Sequence, residues 1–86
     1  MIVLTLLTRN DCAWCRDGKK ILAELGQEFP LQIEEVNLDG EHGRRLADEH
    51  HLMFAPGLIV HGGLIAHGRL SKRALRRYLT NLTDTN

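Results

Sequence analysis

Two cysteines three positions apart are the residues of this sequence best suited to chemistry. Cys12 and Cys15 form a C-x-x-C pair that follows an apolar segment and opens a segment with helical spacing. A cysteine at the start of a helix faces unpaired backbone N–H groups and the positive end of the helix dipole, which both favour the thiolate. We therefore predict that Cys12 is a nucleophile. Cys15, one helical turn later, is close enough to form a disulfide with Cys12 and to attack second.

Metal binding and a purely structural role are the alternatives for this cysteine pair. A closed zinc site needs four ligands, and the sequence contains a single C-x-x-C pair. His50 and His51 are poor additional ligands, because adjacent histidines point in different directions. We expect the histidines to lie on the surface and in turns, and we favour a redox role for the cysteines. The histidines are His42, His50, His51, His61 and His67.

Seven segments must position the cysteines. The apolar run at residues 2–7 predicts a central strand that is buried on both faces. Asn10 or Asp11 is the candidate N-cap of the helix that follows, and Ser71 is the candidate N-cap of the last helix. A polar tail at residues 83–86 is expected to fray. In chain order, the predicted elements are strand 2–7, helix 12–25, strand 31–38, helix 41–51, strands 58–60 and 64–66, and helix 72–82.

This order predicts an α/β fold with the arrangement β-α-β-α-β-β-α. A strand–helix–strand unit implies parallel pairing of its two strands, whereas the glycines between the last two strands predict an antiparallel hairpin. The expected architecture is a mixed four-stranded sheet flanked by helices. Residues 1–86 are expected to form a single domain, because the chain is too short for two.

The composition excludes several classes of protein. Eleven basic and eleven acidic residues leave a formal net charge of zero, which argues against general nucleic-acid binding. Two cysteines are too few for the disulfide framework of a small secreted domain. The sequence has no signal-peptide pattern and no run of about 20 apolar residues, so we expect no membrane span and a cytoplasmic location. The last helix could steer an acidic partner through Lys72, Arg73, Arg76 and Arg77.

The cysteine pair after the first strand, the proline before the third strand and the order of elements together resemble the thioredoxin superfamily. Small glutaredoxin-like proteins are the most similar members, and the resemblance covers nearly the whole chain. It implies a thioredoxin-like fold in which Pro56 is cis and lies beside the cysteines. It also implies that the backbone of Ala55 pairs with bound substrate, and that Arg9 lies near a glutathione carboxylate.

The sequence also departs from the family pattern, and one departure is Asp11, where thioredoxins typically have a tryptophan before the first cysteine. Ala13 and Trp14 stand between the cysteines, where glutaredoxins typically have Pro-Tyr and thioredoxins Gly-Pro. Glutaredoxins usually carry Gly-Gly and an acidic residue that holds the amino end of glutathione. This chain has His67 and Gly68 followed by Arg69, so one glycine matches and the carboxylate is missing. This difference favours a protein reductant or a specialised partner over free glutathione.

The resemblance and the cysteines together predict a thiol-disulfide oxidoreductase with Cys12 and Cys15 as catalytic residues. We expect no bound cofactor, a disulfide-containing protein or small thiol as substrate, glutathione or a flavoprotein reductase as reductant, and a monomeric chain. Two alternatives stay open: a non-cycling interaction module of thioredoxin fold, and an iron–sulfur cluster bridged between two chains through Cys12. The predicted substrate-binding residues are Arg9, Trp14, Ala55, Pro56, His67 and Gly68.

Overall fold

The chain folds in the predicted order of strands and helices. A computed structural model describes residues 1–84. Among these residues, no helix is long and apolar enough to cross a bilayer. The elements are β1 (Ile2–Thr8), α1 (Ala13–Leu25), β2 (Leu31–Asn37), α2 (Glu41–Glu49), β3 (Gly57–Val60), β4 (Gly63–His67) and α3 (Lys72–Asp84).

The sheet has the strand order β2-β1-β3-β4. Strand β1 pairs in parallel with β2 and antiparallel with β3, and β3 pairs antiparallel with β4, which confirms the predicted mixed four-stranded sheet. Leu7, near the end of β1, lies opposite Gly57 at the start of β3. The cysteines follow β1, and Pro56 precedes β3. Both segments therefore lie at the same end of the two central strands.

Two apolar clusters cover the two faces of the sheet. The larger cluster packs the sheet against α1 and α3, and includes Leu4 and Leu6 of β1. The smaller cluster includes Leu7 of β1 and packs against the short helix α2. Val3 is 41% exposed, so the expectation that β1 is buried on both faces is wrong at this position. The second face is covered only toward the end of β1, where Leu7 lies among partly buried side chains of α2.

The start of α1 and the end of α3 differ from the prediction, each for a local reason. Cys12 itself is the N-cap of α1, because it adopts an extended backbone, whereas Asp11 has a φ of 54°. The predicted caps Asn10 and Asp11 are therefore wrong. At the other end, α3 continues to Asp84, and the Thr83 hydroxyl donates to the Leu79 carbonyl at 3.0 Å. The predicted fraying is wrong at residues 83 and 84, and residues 85–86 lie outside the described residues.

Two ion pairs join α3 to α1 and to the turn that follows α1. Arg76 donates to both carboxylate oxygens of Glu28, at 2.9 and 2.7 Å, and Lys72 Nζ lies 3.2 Å from Glu24 Oε1. The hydrogen bonds from Arg76 hold the pKa of Glu28 below its ordinary value of 4.5, and the positive charges of Arg76 and Lys72 act in the same direction, against desolvation. The folded state therefore favours the ionised form of Glu28.

This ion pair predicts a pH-dependent contribution to stability. A carboxyl whose pKa is lower in the folded state stabilises the fold above its unfolded pKa, and this contribution is lost as the pH falls through the folded pKa. Urea unfolding should therefore show Glu28→Gln to be less stable than wild type at pH 7, with the difference shrinking as the pH falls below about 4.5. The exposed Glu49→Gln variant is the control. If Glu28→Gln lowered the free energy of unfolding by the same amount at every pH, the prediction would be contradicted.

Candidate active site

The two cysteines form a disulfide at the edge of the sheet where β1 ends. Their Cα atoms are 5.2 Å apart, within the range that a disulfide requires. The two sulfurs differ in access: Cys12 is half-buried, whereas Cys15 is only 2% exposed. An incoming substrate can therefore reach Cys12 more easily than Cys15, which agrees with the order of attack predicted from the sequence.

At the start of α1, one backbone N–H donates to the Cys12 sulfur and a second donates to the Cys12 carbonyl. The Cys15 N–H donates to Cys12 Sγ at 3.1 Å, and the Arg16 N–H donates to the Cys12 carbonyl at 3.1 Å. Because Cys12 caps a helix of 13 residues, its sulfur lies at the positive end of the helix dipole. In the reduced state, the same backbone N–H would favour the thiolate of Cys12 over the thiol.

Pro56 lies against the helix that carries the cysteines. The Ala55–Pro56 peptide bond is cis, as the resemblance implies. The Pro56 side chain is fully buried, and a Cβ placed on Gly18 would lie 3.7 Å from Pro56 Cγ. Gly18 is one helical turn after Cys15, and the tighter contact at this position is with Leu70, whose Cδ1 lies 3.1 Å from the same Cβ position. The proline therefore packs against α1 at ordinary contact distance, and the missing side chain of Gly18 leaves room chiefly for Leu70.

Trp14 and Gly68 complete this flank of the disulfide. The Gly68 N–H donates to the Pro56 carbonyl at 2.8 Å, and the glycine has a φ of 70°, in the left-handed region that favours glycine. A Cβ on Gly68 would lie 3.8 Å from Cζ3 of Trp14. The indole is 48% exposed and so forms an apolar surface beside the cysteines. His67, immediately before Gly68, is exposed.

A cavity of about 190 Å³ on the α2 side brings together two more of the predicted residues, Arg9 and Ala55. Arg44 of α2 also lines it, so two guanidinium groups face one cavity. Met53 and Phe54 border it as well and are 78% and 64% exposed. Sequence reasoning missed Arg44, Met53 and Phe54; two large apolar residues just before Pro56 were the available signal for the last two.

A second cavity, of about 450 Å³, lies on the β2 side of the disulfide and is lined by both cysteines. Glu35 Oε2 in this cavity accepts the Thr8 hydroxyl at 2.9 Å and lies 2.9 Å from Lys19 Nζ. The hydrogen bond from Lys19 lowers the pKa of Glu35, with a smaller contribution from Thr8 and against the effect of burial. Sequence reasoning also missed this cluster; the position of Lys19 four residues after Cys15, on the same helix face, was the available signal.

Metal ligands do not converge near the cysteines. Within residues 1–84, no group of three or more histidine, cysteine, aspartate or glutamate side chains is arranged to hold a metal ion.

Residues 3–80 match the family model described as Glutaredoxin-like domain (DUF836). The chain belongs to this family. No curated protein matches the sequence. This glutaredoxin-like domain is nevertheless similar in structure to solved proteins. A mutant thioredoxin from Halobacterium salinarum NRC-1 superposes with a TM-score of 0.76 at 17% identity, covering 99% of this chain and 77% of that one.

Two further solved structures show the same fold. The oxidized form of mitochondrial thioredoxin 3 from Saccharomyces cerevisiae has a TM-score of 0.69 at 19% identity, covering 93% of this chain and 77% of that chain. An uncharacterized thioredoxin-like protein from Clostridium perfringens has a TM-score of 0.77 at 18% identity, covering 95% of this chain and 71% of that chain. These likenesses establish the thioredoxin-like fold of the glutaredoxin-like domain.

The predicted site residues of this glutaredoxin-like domain fall into two groups around the disulfide. Trp14, Pro56 and Gly68 form one group, with exposed His67 next to them in the chain. Arg9 and Ala55 form the other, in the cavity next to α2. Their roles in substrate binding stay predictions.

Proposed function

We propose that this glutaredoxin-like domain is a thiol-disulfide oxidoreductase that reduces disulfides of proteins or small thiols. The observation that supports it most is the unequal burial of the two bonded sulfurs at the start of α1, with Cys12 accessible and Cys15 enclosed. A dithiol carrier needs one sulfur that meets the substrate and a second sulfur that only meets the first.

The reaction follows from these positions. In the reduced protein, the Cys12 thiolate attacks one sulfur of the substrate disulfide, so that a Cys12–substrate bond forms and the other substrate sulfur leaves as a thiolate, which takes a proton. Cys15 then loses its proton and attacks Cys12 Sγ. The Cys12–Cys15 disulfide forms, and the second substrate sulfur leaves. Two electrons pass from the protein to the substrate.

The surroundings of the disulfide supply the substrate contacts in this proposal. The backbone of Ala55 would pair with an extended substrate segment, and Trp14 and Pro56 would form the apolar wall beside Cys12. Arg9 would attract a negative group of the substrate. His67 and Gly68 would border the substrate on the Trp14 side of the disulfide. Glutathione or a flavoprotein reductase would return the disulfide to the dithiol. We expect the protein to work in the cytoplasm as a monomer without a bound cofactor.

A redox titration tests the proposal. The protein is equilibrated in glutathione buffers, and the oxidised fraction is read by thiol trapping. We expect a reversible two-electron transition between roughly −270 and −180 mV, the span of thioredoxin-like to isomerase-like carriers. The Cys15→Ser variant should accumulate a mixed disulfide with a disulfide substrate, because the second attack is lost. Absence of a reversible internal disulfide, together with unchanged partner binding by Cys12→Ser, would instead favour a non-cycling interaction module.

A further inference from the structure

An apolar groove lies between the edge strand β4 and helix α3, next to the disulfide site. It has a volume of about 350 Å³. Its apolar walls include Ile65 of β4, Leu70 of the connecting segment, and Leu75 and Tyr78 of α3. His67 lies at the end of β4 and also lines the groove, directly before Gly68, which packs beside Trp14. We name this feature the β4–α3 groove; it starts next to the apolar flank of the cysteines.

The basic residues of α3 divide into two sets with different surroundings. Lys72 is paired with Glu24 of α1, and Arg76 is paired with Glu28 in the turn after α1. Arg73 and Arg77 are exposed, and neither they nor the exposed Arg69 has an ion pair within residues 1–84. The positive charge that α3 presents to solvent is therefore carried by the second set.

The free arginines border the β4–α3 groove. Arg73 and Arg77 are four residues apart, so they lie on one side of the helix, one turn from each other. Arg77 is three residues after Ala74, which lines the groove, so the two are neighbours on the helix surface. Arg73 and Arg77 do not line the groove themselves but lie on the exposed face of α3 beside it. Arg69 lines the groove itself, before the start of α3.

We propose that the β4–α3 groove docks an acidic, amphipathic segment of the protein substrate, an inference that rests on the proposed function. Apolar side chains of that segment would enter the groove, and its carboxylates would pair with Arg69, Arg73 and Arg77. The charge complementarity specifies an anionic partner, and the apolar floor specifies a polypeptide. A nucleic acid fits less well, because the groove offers one aromatic ring, Tyr78, and the formal net charge of the chain is zero.

Such docking has a kinetic consequence for the disulfide reaction. Exposed positive charges accelerate the encounter with an anionic partner, and this acceleration decreases as salt screens the charges. Because the groove starts beside the Cys12 flank, a segment held there would keep a nearby substrate disulfide at a high effective concentration. Substrate preference would then be set outside the groups that exchange electrons.

Disulfide-cyclised peptides of three designs test the proposal. The first carries glutamate and leucine residues next to the disulfide, the second has lysine for glutamate, and the third has serine for leucine. We expect wild type to reduce the first with a kcat/KM at least about tenfold above the second at low salt, with the ratio falling as ionic strength rises. The serine peptide should also be reduced more slowly than the first, because it cannot fill the groove.

The double variant Arg73→Gln/Arg77→Gln should bring the ratio for acidic and basic peptides close to one. The matched control, Lys20→Gln/Arg45→Gln, removes the same amount of charge from exposed positions on α1 and α2 and should keep the wild-type ratio. Thermal unfolding of both variants verifies the fold. Equal ratios in the two double variants would overturn the proposal, since the preference would then follow net charge alone.

Two further measurements separate this inference from the proposed function. Failure of wild type to reduce a small neutral disulfide would refute the oxidoreductase. Reduction of that compound without preference for the acidic peptide would refute only the docking groove. Fluorescence anisotropy with a labelled, cysteine-free acidic peptide should show binding that Arg73→Gln/Arg77→Gln weakens. Sedimentation that showed a dimer lost in this variant would overturn the proposal in favour of a second copy of the chain.

Discussion

Replacing Cys12 by serine should lower the rate of disulfide reduction by about 10³-fold or more. Cys12 carries the accessible thiol of the pair, and the sequence has no third cysteine to replace it. A serine hydroxyl in its place would remain protonated at neutral pH, so no nucleophile would form even with the Cys15 N–H in position. The rate is measured with a small disulfide and an excess of reductant.

The Cys15→Ser variant is the matched control for this prediction. It retains the accessible sulfur and should release one equivalent of substrate thiol before it stops as a mixed disulfide. Because glutathione can resolve such a species from outside, some turnover with excess glutathione is compatible with the mechanism. Turnover by Cys12→Ser at more than a small fraction of the wild-type rate would contradict the assignment of Cys12 as the nucleophile.

Truncation of Leu6 to alanine should have the largest effect on stability, a loss of about 2–5 kcal/mol. Leu6 is completely buried in the cluster between the sheet and the helices α1 and α3, and it lies in β1, the strand paired on both sides. Removal of its side chain leaves a cavity that the surrounding leucines can fill only in part. Urea unfolding of the oxidised protein measures the loss.

Val3→Ala is the control in the same strand. Val3 points to the opposite face of the sheet, is 41% exposed and lies beyond the part that α2 covers. Its truncation should cost about 1 kcal/mol or less, because much of the side chain is already in water. Similar costs for the two variants would mean that the faces of β1 are equally buried, against the structure described here.

Much of the architecture was predictable because it depends on local patterns. Apolar residues that recur with the period of a helix indicate a helix, and short apolar runs indicate a buried strand. Both patterns depend only on residues that are close together in the sequence. The order of those elements then restricts the sheet to few topologies. The placement of Cys12 and Cys15 at the start of α1, and of Pro56 before β3, follows from the same reasoning.

The local surroundings of the site were less predictable. The cap of α1 shifted from Asn10 or Asp11 to Cys12, because the cap depends on backbone angles that several neighbouring residues could adopt. The contact of Glu35 with Thr8 and Lys19 joins side chains of three different elements, β1, α1 and β2. Distances between such elements depend on packing, which no periodicity of a single segment encodes.

The sequence by itself therefore determined the elements, their order, the cysteine pair and the proline that accompanies it. Only the tertiary structure decided which charges remain available on α3: Arg76 is neutralised by Glu28, whereas the adjacent Arg77 faces solvent. Both arginines belong to the basic set of the predicted last helix. Their roles differ because packing of α3 against α1 and the turn after it places the Glu28 carboxylate within hydrogen-bond distance of Arg76 and leaves Arg77 on the exposed face beside the groove.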